Sequence, residues 1–192
     1  MIKAVKAKAK ELVMDNLAGS IFAFFLLVVL TVLLDATGIG AIFSGVVSFG
    51  YAIFSYELIK TKKAKIGTLF GGIFKQFFKK WAAGFLMGLY IFLWSLLFLI
   101  PGFVKYYAYS MTPYIMAEKP GMSINDAITK SREIMNGHKW QLFLLDLSFI
   151  GWMILSALTL GLALVFVWPY YSAARAEFYK QIKKSAKPAK KE

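Results

Sequence analysis

Lys139 to Arg175, KWQLFLLDLSFIGWMILSALTLGLALVFVWPYYSAAR, is the stretch that decides the fold. Between its two cationic ends Asp146 is the only charged side chain, and the 28 residues from Leu147 to Ala174 are uncharged. That run exceeds the roughly 20 residues of one bilayer crossing and folds at Leu160-Gly161 into two. A carboxylate inside such a run costs roughly a few kcal/mol unless it is paired or hydrated, so Asp146 is a candidate functional residue. Arg175 falls at a matching depth on the following helix. The expected arrangement is an ion pair in which the guanidinium takes the carboxylate bidentately, with Ser148, Tyr170 and Tyr171 as further partners.

Working outward, the rest of the chain is equally apolar. Of 192 residues 59% are hydrophobic and 17% aromatic, and mean hydropathy is +0.61. A soluble domain lies nearer about 45–50% apolar, so the chain reads as a single membrane domain. No cysteine is present, which excludes disulfides and thiolate metal sites. The net charge of +13 comes in blocks between apolar runs. Topology and anionic lipid account for it better than nucleic acid, which is not an expected partner.

The spacing predicts an all-α integral membrane fold of six transmembrane helices with two cytoplasmic-side amphipathic helices. The expected spans are 17–34, 37–56, 82–100, 103–117, 140–160 and 162–179, within one domain of residues 1–179. Residues 1–17 read as a basic, partly amphipathic helix at the cytoplasmic surface. The second span is rich in small residues. Gly38 and Gly40 suit an external turn, and Gly45 and Gly50 suit close packing, as does the Gly84/Gly88 pair in the third. Ile66, Leu69, Phe70, Ile73, Phe74, Phe77, Phe78 and Trp81 follow helical spacing opposite Lys75, Gln76, Lys79 and Lys80. They predict one interfacial helix with a phenylalanine face. Pro101-Gly102 reads as a tight turn, and Pro113 as a kink in the fourth helix. Ser123 to Asp126 resembles a capping box opening the second amphipathic helix, and Asn136-Gly137 a stop. That helix carries Ile124, Ala127, Ile128, Ser131, Ile134 and Met135 on one face. Trp81, Trp140 and Tyr179 are expected interface anchors. The tail 180–192 is basic and expected to be disordered.

Charge decides whether residues 103–117 cross. If they do, 22 of the 23 Lys and Arg lie on one side with both termini, and only Lys105 lies opposite, snorkelling to the outer headgroups. If they do not, five spans split the cations almost evenly, 11 against 12. Six spans with cytoplasmic termini follow.

The segments IPGFVKYYAYSMTPYIMAEKPGMSINDAITKSREIMNGHKWQLFLLDLSFIGW and TLGLALVFVWPYYSAARAEFY carry a resemblance. They are similar to a bacterial integral membrane family catalogued as domain of unknown function 975, found mostly in Gram-positive bacteria. That family is also distantly similar to the membrane portion of some glycerophosphodiester phosphodiesterases. The resemblance implies a bacterial plasma-membrane location and a specific design around Asp146. It supplies no catalytic residues, because the family has no assigned activity.

Three function classes follow from these residues. An enzyme is disfavoured: the chain has one His, no Cys, and none of the H-E-x-x-H, G-x-S-x-G or phosphate-loop motifs. No cofactor or metal is expected. A small-solute or ion transporter would use Asp146, Lys105, Arg175 and the mid-chain tyrosines as a polar path. The favoured class is a non-enzymatic membrane module: a scaffold, an exporter accessory, or an envelope-stress or immunity factor. It would bind anionic lipid and either a second copy of itself or a membrane partner protein.

Overall fold

Every described element is an α-helix, as the apolar periodicity requires. The computed structural model describes residues 1–36, 40–97 and 99–185. Gly38 and the end of the tail from residue 186 lie outside the described residues. Helix α1 (Ile2–Asp15) precedes α2 (Leu17–Ala36) and α3 (Gly40–Thr61). Next come α4 (Ile66–Phe74), α5 (Phe77–Leu97), α6 (Leu99–Tyr109), α7 (Thr112–Glu118) and α8 (Ile124–Ile134). The chain closes with α9 (Lys139–Leu147), α10 (Ile150–Leu158) and α11 (Leu164–Ser185). Among the described residues, two stretches are long and apolar enough to cross a membrane, Leu17–Ala36 and Lys139–Leu158, with mean hydropathies of 2.8 and 1.7.

α1 does not lie free on a surface. Its apolar face of Val5, Ala9, Leu12 and Val13 is buried, packed in one core with Ala173, Ala176, Phe178 and Ile182 of α11. α11 continues through Ser185, so Lys180 to Ser185, expected in a disordered tail, are helical. The cause is Ile182, fully buried in that core. Tyr179 is likewise 1% exposed and is no interface anchor. Its ring stacks on Tyr114 at 5.6 Å and meets Tyr56 edge-on at 5.8 Å.

The expected continuous helix from Ile66 to Trp81 is broken. Lys75 is extended and Gln76 has φ of 56°, a left-handed conformation no helix interior adopts. The reason is packing. Gly50 of α3 and Gly72 of α4 approach so closely that a Cβ on Gly72 would stand 3.0 Å from the Gly50 backbone. This buries Leu69 and Ile73 and leaves Phe70, Phe74 and Phe78 outward. Lys80, assigned to the solvated face, turns inward instead. It is 6% exposed, and its ammonium donates to the carbonyls of Gly71, Gly72 and Lys75 at the α4 C-terminus. A cation there complements the helix dipole. Burial, reinforced by Lys75, pushes its pKa down to about 8.

Small residues also set α3 against α5. A Cβ on Gly45 would stand 3.7 Å from Gly84, whereas Gly88 has nothing within 4 Å. Only one half of the expected Gly84/Gly88 pair is a packing face. Pro101-Gly102 is not the turn. Both residues lie inside α6, where Pro101 occupies the first turn and its missing N–H has no partner to lose. Gly102 backs onto Ser95, whose Cα would stand 3.0 Å from an added Cβ. α5 and α6 thus form a close hairpin.

Candidate functional site

Two interrupted helices build the site, and each break is closed by a side chain from elsewhere. Between α6 and α7 the ladder lapses at Ser110–Met111, just before Pro113, which has no N–H to donate. Ser131 of α8, fully buried, fills the gap. Its hydroxyl donates to Ala108 O at 2.7 Å and accepts from Met111 N at 3.2 Å. α8 can reach there because its start is fixed: Ser123 Oγ accepts from Asp126 N at 3.1 Å. Gly137, with φ of 78°, ends the segment.

Between α9 and α10 the break falls at Ser148–Phe149, where Phe149 N donates to Asp146 O at 3.0 Å. Lys6 of α1 closes this one. Its ammonium donates to Ser148 O at 3.1 Å and Ser148 Oγ at 3.2 Å and stands 4.4 Å from the centre of the Phe149 ring.

One turn before that break, Asp146 faces Arg175 of α11. Arg175 Nη2 lies 3.7 Å from Asp146 Oδ2, and the two side chains are 15% and 17% exposed. The expected pair forms, through one long contact rather than two short ones. Among the described residues, Asp146 Oδ1 and Arg175 Nε and Nη2 have no hydrogen-bond partner. Of the three expected partners only Tyr171 joins: the Arg175 guanidinium carbon stands 5.5 Å from the centre of its ring. Ser148 donates to Leu145 O instead, and Tyr170 packs edge-on against Phe149 at 4.9 Å.

A cavity of about 380 Å³ opens beside Arg175. α11 contributes Trp168, Tyr171 and Ser172, and α3 contributes Tyr51. Tyr106 and Tyr114 of α6 and α7 complete the polar wall. The hydroxyl of Tyr51 and the indole N–H of Trp168 are also buried without a partner among the described residues. Ser172 is satisfied, 2.6 Å from Ser55. Sequence reasoning placed the mid-chain tyrosines on a polar path but gave no sign that Tyr51 or Trp168 would line the same space.

Two further polar clusters were not foreseen. Glu118 accepts from Tyr179 OH at 2.8 Å and pairs with Lys183. Burial pushes its carboxyl up, but the bonds from Lys183 and Tyr179 outweigh that and leave its pKa below the ordinary value. Glu177, 2% exposed, pairs with Lys8 of α1 at 3.4 Å. The cations are also redistributed. Lys105, expected apart from the rest, lines a groove with Arg132 and Lys139, and its ammonium stands 4.2 Å over the Trp94 ring. Trp140 is 66% exposed, and Trp81 stacks on Phe85 at 5.9 Å. His138 bonds Gln141 at 2.9 Å. No group of three or more potential metal ligands occurs among the described residues.

These features define a helical protein organised around a buried ion pair and a donor-lined cavity, with two stretches among the described residues long and apolar enough to cross a membrane. Residues 97–186, which contain both members of the ion pair, match the family described as Protein of unknown function (DUF975). No curated protein matches the chain, and no solved structure matches it. The likeness to glycerophosphodiester phosphodiesterases thus has no support in these comparisons.

Proposed function

We propose that the protein is a non-enzymatic module of the bacterial plasma membrane with both termini cytoplasmic. One observation carries the membrane reading: the outward belt of Phe22, Phe25, Val32 and Leu33 on α2 and Trp152, Ile154 and Leu158 on α10. An apolar surface of that extent is not sustained in water. The non-enzymatic reading rests on the sequence, with one His, no Cys and none of the H-E-x-x-H, G-x-S-x-G or phosphate-loop motifs.

The cation positions favour four crossings over six. Lys79, at the start of α5, donates to Pro120 O at 2.7 Å. The far end of α5 meets Lys105, which shares its groove with Arg132 and Lys139. Both ends of α5 are therefore among the basic segments, so the α5–α6 hairpin returns to the side it left. α2, α3, α9–α10 and α11 then cross, and all 23 Lys and Arg fall on one side, as the positive-inside rule favours.

Reporter fusions test this. A reporter joined after Pro101 should be cytoplasmic, and one after Gly161 external. An external reporter at Pro101 restores six spans; a cytoplasmic one at Gly161 removes the membrane reading. A transporter is the second reading, favoured by the cavity beside Arg175, and solute flux in vesicles holding this protein alone would establish it. Stoichiometric co-purification of a partner, without flux, supports the module.

A further inference from the structure

We propose that the cavity beside Arg175 binds the phosphate head of an anionic amphiphile. The unsatisfied groups around it are of one kind. Arg175 Nε and Nη2 and Trp168 Nε1 can only donate, and the Tyr51 hydroxyl donates readily. Asp146 does not line the space. It stands 3.7 Å behind the guanidinium, too far to occupy those donors. No carboxylate lines the cavity, so a cation finds no counter-charge there, whereas an oxyanion meets donors converging from α3 and α11. Buried donors left unpaired are costly, and a planar guanidinium matches phosphate oxygens.

The volume of about 380 Å³ falls within the range of roughly 300–1,000 Å³ usual for small-molecule sites. It exceeds what a bare ion needs. Leu27, Met87 and Ile91 supply apolar wall to the same cavity, fit for the start of a hydrocarbon chain. Phosphate on a lipid headgroup and free phosphate share this recognition. The membrane reading above enters only in choosing between them.

The experiment is calorimetric titration of the full chain in a neutral maltoside detergent. The probes are hexyl phosphate, inorganic phosphate and the uncharged hexyl glucoside. Hexyl phosphate should bind. Tyr51→Phe and Trp168→Phe, which leave the Asp146–Arg175 pair intact, should each weaken it about tenfold, the usual effect of losing one hydrogen bond to a charged group. Tyr51→Phe removes a hydroxyl that makes no bond in the fold, so its melting temperature should match wild type. Binding of hexyl phosphate alone assigns a lipid source. Equal binding of inorganic phosphate assigns a free anion and keeps the site. Three results overturn the proposal: no binding of hexyl phosphate, equal binding of hexyl glucoside, or unchanged affinity in both variants. None of these depends on topology, so failure of the fusion experiment and failure of this one are separable.

Discussion

Breaking the pair between Asp146 and Arg175 from either side should cost most of what removing both charges costs, so the two losses should not add. At 3.7 Å and an effective dielectric near 20, the attraction is about 4 kcal/mol. Desolvation of two mostly buried charges offsets much of that. Asp146→Asn leaves a buried guanidinium whose Nε and Nη2 already lack partners. Arg175→Gln leaves a carboxylate beside an apolar run. Each single change should therefore cost about 3 kcal/mol, near the low end for an uncompensated buried charge. The double variant should cost about 4 kcal/mol instead of the additive 6, a coupling of about 2 kcal/mol. The assay is reversible unfolding in mixed micelles with sodium dodecyl sulfate, followed by circular dichroism. Losses that add within about 0.5 kcal/mol would show that the two charges do not sense each other, and the reasoning from proximity would fail.

Two further outcomes follow from packing and charge. Glu118 holds its proton less tightly in the folded state than unfolded. Its contribution is therefore present at neutral pH and lost as pH falls below the usual carboxylate range. Melting temperature of the wild type minus that of Glu118→Gln should shrink as pH drops from 6 to 3.5; a constant difference would contradict the pairing with Lys183 and Tyr179. Gly50→Ala places a Cβ 2.4 Å from Ile73 Cγ1 and should cost about 1–3 kcal/mol, while Gly88→Ala, with nothing within 4 Å, should be neutral or gain up to about 1 kcal/mol from helix propensity. Equal effects in a thermal melt would refute the α3–α4 contact.

What could be read from the sequence was what depends on local chemistry and on depth along a helix. The pairing of Asp146 with Arg175 followed from counting residues either side of Leu160-Gly161, and both of those residues do take positive φ. The Ser123 cap and the Gly137 stop followed from side-chain chemistry within a few residues. Everything misread depends on contacts between residues far apart in the chain. Pattern alone ran Ile66 to Trp81 as one helix, because nothing local says that Gly50 draws Gly72 close and forces the turn at Gln76. Lys80 looked solvated for the same reason: the carbonyls it caps belong to the helix before the break. Ser131 appeared as one small residue on an apolar face. Its meaning depends on a gap 20 residues upstream. Lys105 was set apart from the other cations by charge arithmetic on residues 103–117, and no count along the chain shows that the fold seats it beside Arg132 and Lys139.

Lys6 bears on how the chain is assembled. It is made 142 residues ahead of the carbonyl it caps, at Ser148. Val5, Ala9 and Leu12 wait equally long for Phe178 and Ile182. For most of synthesis α1 therefore has an apolar face and no protein to cover it. Its four lysines, Lys3, Lys6, Lys8 and Lys10, suit it to rest on anionic headgroups in the interval. On the proposed membrane reading, the surface helix visible in the sequence and the docked helix in the fold would be two stages of one element. Release from the lipid surface would then coincide with closure of the last hairpin, and a bulky fusion ahead of Ile2 should delay the final step of folding rather than the first.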